Sequence, residues 1–274
     1  MTRLNLSFGI CMLACTAALL TAATPADNAK KYDIKINLSA DQQWSFNQTG
    51  KMYFDVHSGG AAQPSKIMEV KQSGTITNLI VTDGESTRAK IWFDKDCGVN
   101  TTEDGQLTLK ALPLAGQTVQ AHKLGDTFTI DGPRADQSNA DVIRSVMLVD
   151  RTALPTKPVA IGDFWEGDGS ALKKLISMGD EQPVVPLVCK LTTIGSVDGR
   201  PTADIDVKGD VAQAKEGATG VLSVAGTIRI DLVTGQCLQE DLTTKAKADL
   251  LDGLTTVDVK NEIHQTRKLI APAK

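Results

Sequence analysis

The feature that most constrains the fold is the alternation of apolar and polar residues in the last third of the chain. Residues 227–232 read Thr-Ile-Arg-Ile-Asp-Leu, which is the period of a β-strand with one buried face. The alternation continues after a turn signal at 234–236 and returns after Asp252-Gly253, at residues 257–264. These residues predict a three-stranded antiparallel meander with one apolar face and one charged face.

Less regular alternating stretches cover much of the remaining chain, and Gly, Asp and Asn turns separate them. They predict strands over residues 31–38, 43–57, 65–81, 86–93, 106–112, 117–123, 127–131, 183–194 and 201–211. Two helices are expected, one over 139–149 capped by Asn139 and one over 171–178 capped by Ser170. We therefore predict a mainly β (α+β) fold, a curved antiparallel sheet or half barrel with one or two helices packed on its concave face.

The first 26 residues have the pattern of a secretory signal peptide. Arg3 is the only charged residue before Asp27, an apolar run occupies residues 6–20, and small residues follow it. The run is shorter than the ~20 apolar residues that a membrane span needs. We expect cleavage after Ala23 or Ala26 and export to the periplasm or the extracellular space.

Two alternatives stay open for this organisation. Residues 12–15 resemble a degraded bacterial lipobox in which Cys15 would be lipidated, but the apolar run continues past Cys15, which favours cleavage further on. Residues 27–274 are expected to form a single β-rich domain. A two-part organisation around the helix at 139–150 is the alternative.

Charge argues against a nucleic-acid partner, and hydropathy argues against a transmembrane segment after residue 26. Without Arg3 the chain carries 28 basic and 33 acidic residues, and the pI of the whole sequence is about 5.4. Proteins that bind nucleic acids carry a basic patch, so no nucleic-acid partner is expected. No second long apolar segment follows residue 26, so the exported chain is expected to have no transmembrane segment.

Three cysteines follow the signal peptide, Cys97, Cys189 and Cys237. Outside the cytosol they permit one disulfide and one remaining thiol, or three buried thiols. Their separations are too wide for a CxxC redox pair or a zinc cluster. The sequence favours small buried side chains with at most one disulfide, and it does not indicate which cysteines would pair.

The residues with catalytic potential are few. Ser170-Ala171-Leu172-Lys173 matches the SxxK pattern of serine acylases, in which the lysine takes the serine proton. No KTG element follows, so Ser170 and Lys173 are weak catalytic candidates, and a helix cap with a solvated lysine is the favoured interpretation. His57, His122 and His264 lack metal-ligand spacing and are expected to be solvated or capping. No nucleotide or cofactor motif occurs, so no cofactor is predicted.

One acidic segment has the composition of a calcium loop. Asp94, Asp96, Asn100 and Glu103 would supply oxygen ligands, which calcium prefers. The segment fails the EF-hand pattern because Gly98 falls one place early and no Glu closes the loop. These four residues are weak metal-site candidates, and a long hairpin loop is the favoured interpretation.

One segment resembles a known group of proteins. Residues 154–165 spell an LPxxPVxxGDxW string after a predicted helix, and the Gly226-Thr227 strand ends in a Thr234-Gly235 turn. This pattern is similar to that of a group of uncharacterised secreted bacterial proteins. The resemblance implies an exported β-rich protein and gives no catalytic residue; Trp165 is interpreted as structural. The predicted architecture is also similar to the half barrels of lipoprotein-carrier proteins.

The favoured function is therefore that of an exported, non-enzymatic protein that binds an apolar small molecule or lipid in the periplasm or cell envelope. Such a protein would have an apolar pocket without convergent titratable groups. The two alternatives are an exported serine hydrolase and a subunit of an envelope assembly.

Overall fold

The structure is a computed structural model that describes residues 30–58, 61–62, 65–124, 127–132, 143, 146, 153–167, 186–215, 218–250 and 255–271. The chain divides into two compact units, residues 1–30 and residues 31–274. The described part of the second unit contains these strands: β1 Gln43–Ser58, β2 Ala61–Ala62, β3 Lys66–Thr82, β4 Glu85–Phe93, β5 Gly98–Glu103, β6 Gln106–Ala111, β7 Thr118–Leu124, β8 Thr127–Asp131, β9 Phe164–Gly167, β10 Leu187–Val197, β11 Arg200–Lys215, β12 Ala218–Asp231, β13 Cys237–Leu250 and β14 Thr255–Ala271.

These strands form one antiparallel sheet in which the first strand pairs with the last. The strand order is β8, β7, β4, β3, β1, β14, β13, β12, β11, β10, β9. The β5–β6 hairpin attaches to β3, and β2 pairs with β1. In the described part of the chain the sheet is open, with β8 and β9 as its end strands. The predicted mainly β antiparallel class is confirmed, and the curvature of the sheet stays a prediction.

Tight Asp-Gly turns set the register of three hairpins. Both residues have positive φ at Asp83-Gly84 (52° and 79°), at Asp104-Gly105 (52° and 74°) and at Asp198-Gly199 (51° and 78°). Two central residues with positive φ define the type I′ turn, whose twist matches that of paired strands. All three are turns of the Gly and Asp type that the sequence predicts between its strands.

The predicted C-terminal meander is confirmed as β12, β13 and β14. On the adjoining strand β11, alternate residues such as Ile205 and Val207 are buried, while Asp204 and Asp206 lie on the opposite face. Because successive side chains of a strand point to opposite faces, the sheet has a core-side face and a charged face.

Strand β3 pairs with two successive strands along one edge. Its residues 66–71 pair with β5, and its residues 74–82 pair with β4. The fork lies at Gly74, where an added Cβ would be 1.9 Å from the carbonyl oxygen of Trp92. A side chain cannot occupy that space, which is why glycine is required where the two pairings meet.

The core-side face is sealed by two groups of buried side chains. The first core cluster comprises Ile34, Ala153, Val159, Leu187, Cys189, Leu191, Ala203, Ile205, Val207, Val224, Ile228, Ile230, Cys237 and Leu242. The second core cluster comprises Phe46, Ile76, Ala89, Ile91, Phe93, Cys97, Leu114, Val119, Ala121, Ile143 and Val146.

The three cysteines are buried thiols, which agrees with one of the two alternatives left open by the sequence.

The predicted helices are only partly within the described residues. Ile143 and Val146 are helical and buried in the second core cluster. The rest of 139–149 and the whole of 171–178 lie outside the described residues, so helices packed on a concave face stay a prediction.

Two predictions on secondary structure are wrong. Residues 31–38 form no strand beyond a single bridge between Tyr32 and Val159. This segment instead crosses strand ends, with the amide of Asn37 donating to Thr234 and that of Leu38 donating to Gly84, both at 2.8 Å. Residues 98–103, interpreted as part of a loop, form β5 because they pair with β3.

Candidate functional site

The core-side face continues beyond the two core clusters as a half-buried apolar area on β1, β3 and β14. We call it the open apolar surface and define it by residues of intermediate exposure: Met52, Phe54, Val56, Met68, Val70, Val257, Val259 and Ile263. Phe54 lies opposite Val259, and Met52 lies opposite Met68. Because paired residues share a face, these side chains lie together next to the sealed core, on a face that also carries Asn261 opposite Met52 and Lys66 opposite Phe54.

A row of polar side chains separates the open apolar surface from the second core cluster. Gln72, Gln48, Gln265 and Glu240 lie directly opposite one another across β3, β1, β14 and β13. Gln72, Gln265 and Glu240 are 8%, 5% and 8% exposed. We call these four residues the polar row. Buried polar side chains on a core-side face are uncommon, so the polar row is a candidate for function.

The polar row is only partly satisfied by hydrogen bonds. With its amide oriented to accept, Gln265 Oε1 receives hydrogen bonds from Nε and Nη2 of Arg267 at 2.7 and 2.8 Å. No described residue donates to the buried Oε1 atoms of Gln48 and Gln72. An amide oxygen enclosed without a donor costs about 1–3 kcal/mol, so an external donor would be stabilised there.

Next to the polar row, the open apolar surface contains an unfilled space. Gly50 follows Gln48 by two residues and lies on the same face of β1. No described atom lies within 4 Å of the position that a Cβ on Gly50 would take. Val70 and Ile263 flank Gly50 on the neighbouring strands. The space is therefore bordered by apolar side chains and by an amide oxygen to which no described residue donates a hydrogen bond.

The opposite face of the same strands carries paired charges. A hollow of about 360 Å³ lies there, with Lys51, Glu69, Asp241, Glu262 and His264 among its lining residues. Nδ1 of His264 donates to Asp241, and the hydroxyl of Tyr53 donates to Glu262 at 3.2 Å. Paired charges on an exposed sheet face are ordinary solvated structure, so this hollow is a weaker candidate than the open apolar surface.

Hydrogen bonding controls the ionisation of two groups on the charged face. Burial opposes the charged form of Asp241, but hydrogen bonds from His264 and Gln239 outweigh it and lower the pKa of this carboxyl. Hydrogen bonds to Asp204 raise the pKa of Arg229, whose Nε and Nη2 contact the carboxylate oxygens at 2.6 and 3.0 Å. Both groups are charged at neutral pH, and neither is poised for proton transfer.

The structure separates the four residues considered for a metal site. Asp94 accepts from Ser73, and Asp96 accepts from Lys71, which lowers the pKa of Asp96. Asn100 lies within β5. Glu103 is the last residue of that strand, roughly 17 Å from its first residue, Gly98. Glu103 forms an ion pair with Lys66 at 3.3 Å. Among the described residues, no three His, Cys, Asp or Glu side chains are grouped to hold a metal ion.

The remaining candidate residues have mixed outcomes. Ser170 and Lys173 lie outside the described residues, so the SxxK hypothesis stays a prediction. Burial raises the pKa of the Cys97 thiol, which disfavours the reactive thiolate. The described part of the chain contains no helix with the length and apolarity that a membrane span requires.

The LPxxPVxxGDxW segment builds the entry to β9. The carboxylate of Asp163 accepts from the amide of Ala160 at 2.8 Å, and Gly162 has a φ of +94° in the turn between them. Nε1 of Trp165 donates to the carbonyl of Ala153 at 3.0 Å, and the ring packs against the first core cluster. These contacts agree with a structural interpretation of Trp165.

The sequence analysis did not identify the polar row. The signal available was a glutamine at positions where the alternation of β1 and β3 calls for apolar side chains, between Phe46 and Gly50 and between Val70 and Gly74. That signal gains meaning only from the register, which aligns Gln48 with Gln72 and Gln265.

Comparisons with known proteins yield no family for this chain. No protein-family model and no curated protein match it. A solved structure described as lipid–protein interactions in lipovitellin covers 87% of this chain, with a TM-score of 0.46 and 7% identity. The chain spans 26% of the length of that lipovitellin chain. A structure of botulinum neurotoxin type C covers 84% of this chain, with a TM-score of 0.15 and 9% identity. Neither likeness is strong enough to assign a fold family or a function.

Proposed function

We propose that this is an exported, non-enzymatic protein that binds an apolar ligand, such as a lipid chain, on the open apolar surface. The observation that carries the proposal is the half-burial of eight apolar side chains next to a sealed core. A contiguous apolar area of this kind marks an interaction site, because each methylene removed from water contributes about 0.8 kcal/mol. Three of the described ion pairs, Arg229–Asp204, Lys260–Glu262 and His264–Asp241, lie on the other face, away from the open apolar surface, which suits binding better than catalysis.

Extraction of the purified full chain with organic solvent, followed by mass spectrometry, tests the proposal. The Phe54→Lys variant places a charge on the open apolar surface and is expected to lose the extracted lipid. Val188→Lys is the matched control, since Val188 is 54% exposed and lies on the opposite face of the sheet from the buried Cys189. Equal lipid in both variants, or none in the wild type, would contradict the proposal.

Export is the second part of the proposal, and it is supported by the signal-peptide pattern of residues 1–26. Expression of the full chain with fractionation of cells and medium, followed by intact-mass measurement, tests it. A mass that begins after Ala23 or Ala26 is expected. A diacylglycerol adduct on Cys15 would replace release with lipid anchoring, and an uncleaved cytoplasmic chain would refute export.

A second candidate function, a subunit of an envelope assembly, is favoured by the edge strand β6. All six of its residues are exposed, with Leu107 at 62% and Leu109 at 68% on one face. An exposed apolar edge strand is a template for pairing with another chain. Sedimentation equilibrium should then show self-association that Leu109→Lys removes and Leu124→Lys, at an equally exposed site, leaves intact. A wild type that stays monomeric would exclude self-assembly through β6.

A further inference from the structure

Gln48 on β1 and Gln72 on β3 form a pair of side-chain amides at the boundary of the open apolar surface. The two residues lie directly opposite each other. Both Oε1 atoms are buried, and no described residue donates a hydrogen bond to either. Gln72 is 8% exposed, so water does not replace the missing donor freely. Such a pair favours a ligand that brings its own hydrogen-bonding group.

The unfilled space at Gly50 connects this amide pair with the apolar side chains. Gly50 lies about 7 Å along β1 from Gln48, two residues on the same face. Its neighbours across the strands are Val70 and Ile263, and Met52 follows on β1. A ligand atom at Gly50 would thus have the amides on one side and apolar side chains on the other.

We infer that the ligand is an amphiphile with an apolar chain and an uncharged, hydroxyl-bearing head group. This inference rests on the proposed function, because the chain of the amphiphile lies along the open apolar surface. The hydroxyl lies at Gly50 and bonds to the amides of Gln48 and Gln72. A hydroxyl both donates and accepts, so it suits these amides in either orientation.

A charged head group fits this boundary less well. Arg267, a cation at the polar row, already directs Nε and Nη2 at Gln265. Arg267 as a whole residue is only 7% exposed in the folded protein. A phosphate or sulfate at Gly50 would be desolvated among apolar side chains without a guanidinium edge open to it, and an uncompensated buried charge is strongly disfavoured.

Three probes with the same chain and different heads test the inference. The probes are 1-tetradecanol, its methyl ether and tetradecyl sulfate; the ether cannot donate a hydrogen bond. The affinity of each probe is measured by displacement of an apolar fluorescent dye from the full chain. The wild type is expected to bind the alcohol about tenfold more tightly than the ether, which corresponds to one or two hydrogen bonds. Equal affinities for alcohol and ether, or tightest binding of the sulfate, would overturn the inference and leave the proposed function standing.

If the wild type binds none of the three probes, the proposed function itself fails, and the inference fails with it. The Gln48→Leu/Gln72→Leu double variant separates head recognition from chain binding. It should bind alcohol and ether equally, at the affinity that the wild type has for the ether. Replacement of unsatisfied buried amides by leucine should also raise the melting temperature. A double variant that still prefers the alcohol tenfold would refute the role of these amides.

Gly50→Leu provides a test that does not depend on the glutamines. No described atom lies within 4 Å of the new Cβ, so the variant is expected to fold, and its side chain should fill the space for the head group. Binding of the alcohol should fall at least tenfold. Unchanged binding by a folded Gly50→Leu variant would show that the head group lies elsewhere.

Discussion

The indole Nε1 of Trp165 donates a hydrogen bond to the carbonyl oxygen of Ala153 at 3.0 Å, which joins β9 to the residue that precedes Leu154 and Pro155. Ala153 is fully buried and Trp165 packs against the first core cluster. The bond therefore ties an edge strand of the sheet to the buried residue Ala153, whose carbonyl has little access to water.

Removal of this donor should destabilise the fold. Trp165→Phe keeps an aromatic ring but leaves the carbonyl of Ala153 without Nε1, and we expect a loss of about 1–3 kcal/mol in the free energy of unfolding. Phe164→Leu is the control, because Phe164 is 60% exposed and its replacement should change stability by about 0.5 kcal/mol or less. Urea unfolding measures both, and equal effects would contradict a structural role for Trp165.

A buried carboxylate organises the turn between β12 and β13. Asp231 is 0% exposed and accepts hydrogen bonds from Arg200 and from the amides of Val233 and Thr234, the latter two at 2.8 and 3.0 Å. Asp231→Ala should cost about 3–5 kcal/mol, since it leaves the guanidinium and two amides without their acceptor.

The matched control for Asp231 is a surface ion pair. Asp198 contacts Lys268 at 3.0 Å, with side chains 64% and 73% exposed. Asp198→Asn removes the charge but keeps a residue that tolerates the positive φ of this turn, so it should change stability by about 1 kcal/mol or less. Thermal and urea unfolding of the two variants compare the buried and the exposed carboxylate directly, and similar losses would refute the organising role of Asp231.

The sequence predicts best those strands in which the alternation of apolar and polar residues within the strand itself indicates which side chains are buried. In β12 to β14, alternation alone separates Ile228 and Ile230 from Arg229, because one face packs on the core and the other is solvated. The segment 31–38 misleads for the same reason. Ile34 and Leu38 alternate as in a strand and are buried, but the segment bonds to the ends of several strands and runs along none of them.

What the sequence does not predict depends on register between distant residues. Strand β5 contains Gly98, Asn100 and two threonines, a composition typical of a loop, and it becomes a strand only because β3 lies beside it. The polar row has the same origin: nothing local to Gln48 or Gln72 indicates that the two amides lie opposite each other on the core-side face.

Two strand glycines on the same face should respond differently to an added methyl group. An alanine Cβ at Gly226 would lie 2.0 Å from the carbonyl oxygen of Asp241 and 2.7 Å from Leu242 Cδ2, whereas no described atom lies within 4 Å at Gly50. We expect Gly226→Ala to destabilise by about 1–3 kcal/mol through backbone displacement. Gly50→Ala should be neutral or stabilise by up to about 1 kcal/mol, because it reduces the entropy of the unfolded chain. Comparable losses in urea unfolding would contradict the close approach of β12 and β13.

The Asp241–His264 contact should make stability depend on pH on the acid side. Hydrogen bonds from His264 and Gln239 overcome the effect of burial and hold the pKa of Asp241 below its unfolded value, which is near ~4. Ionised Asp241 therefore contributes stability that is complete above the unfolded pKa and is lost as the pH falls through the folded pKa. The Asp241 side chain is 48% exposed, so solvent screening limits the contribution to about 1 kcal/mol or less.

Asp241→Asn should accordingly lose less stability than the wild type between about pH 5 and pH 2, and the two proteins should converge at the acid end of this range. Urea unfolding at several pH values measures the difference. High salt should reduce it, because an exposed pair is screened. Parallel stability curves for the two proteins across this range would show that the pKa of Asp241 is the same in the folded and unfolded chains, which would contradict the stabilisation of its charged form by these hydrogen bonds.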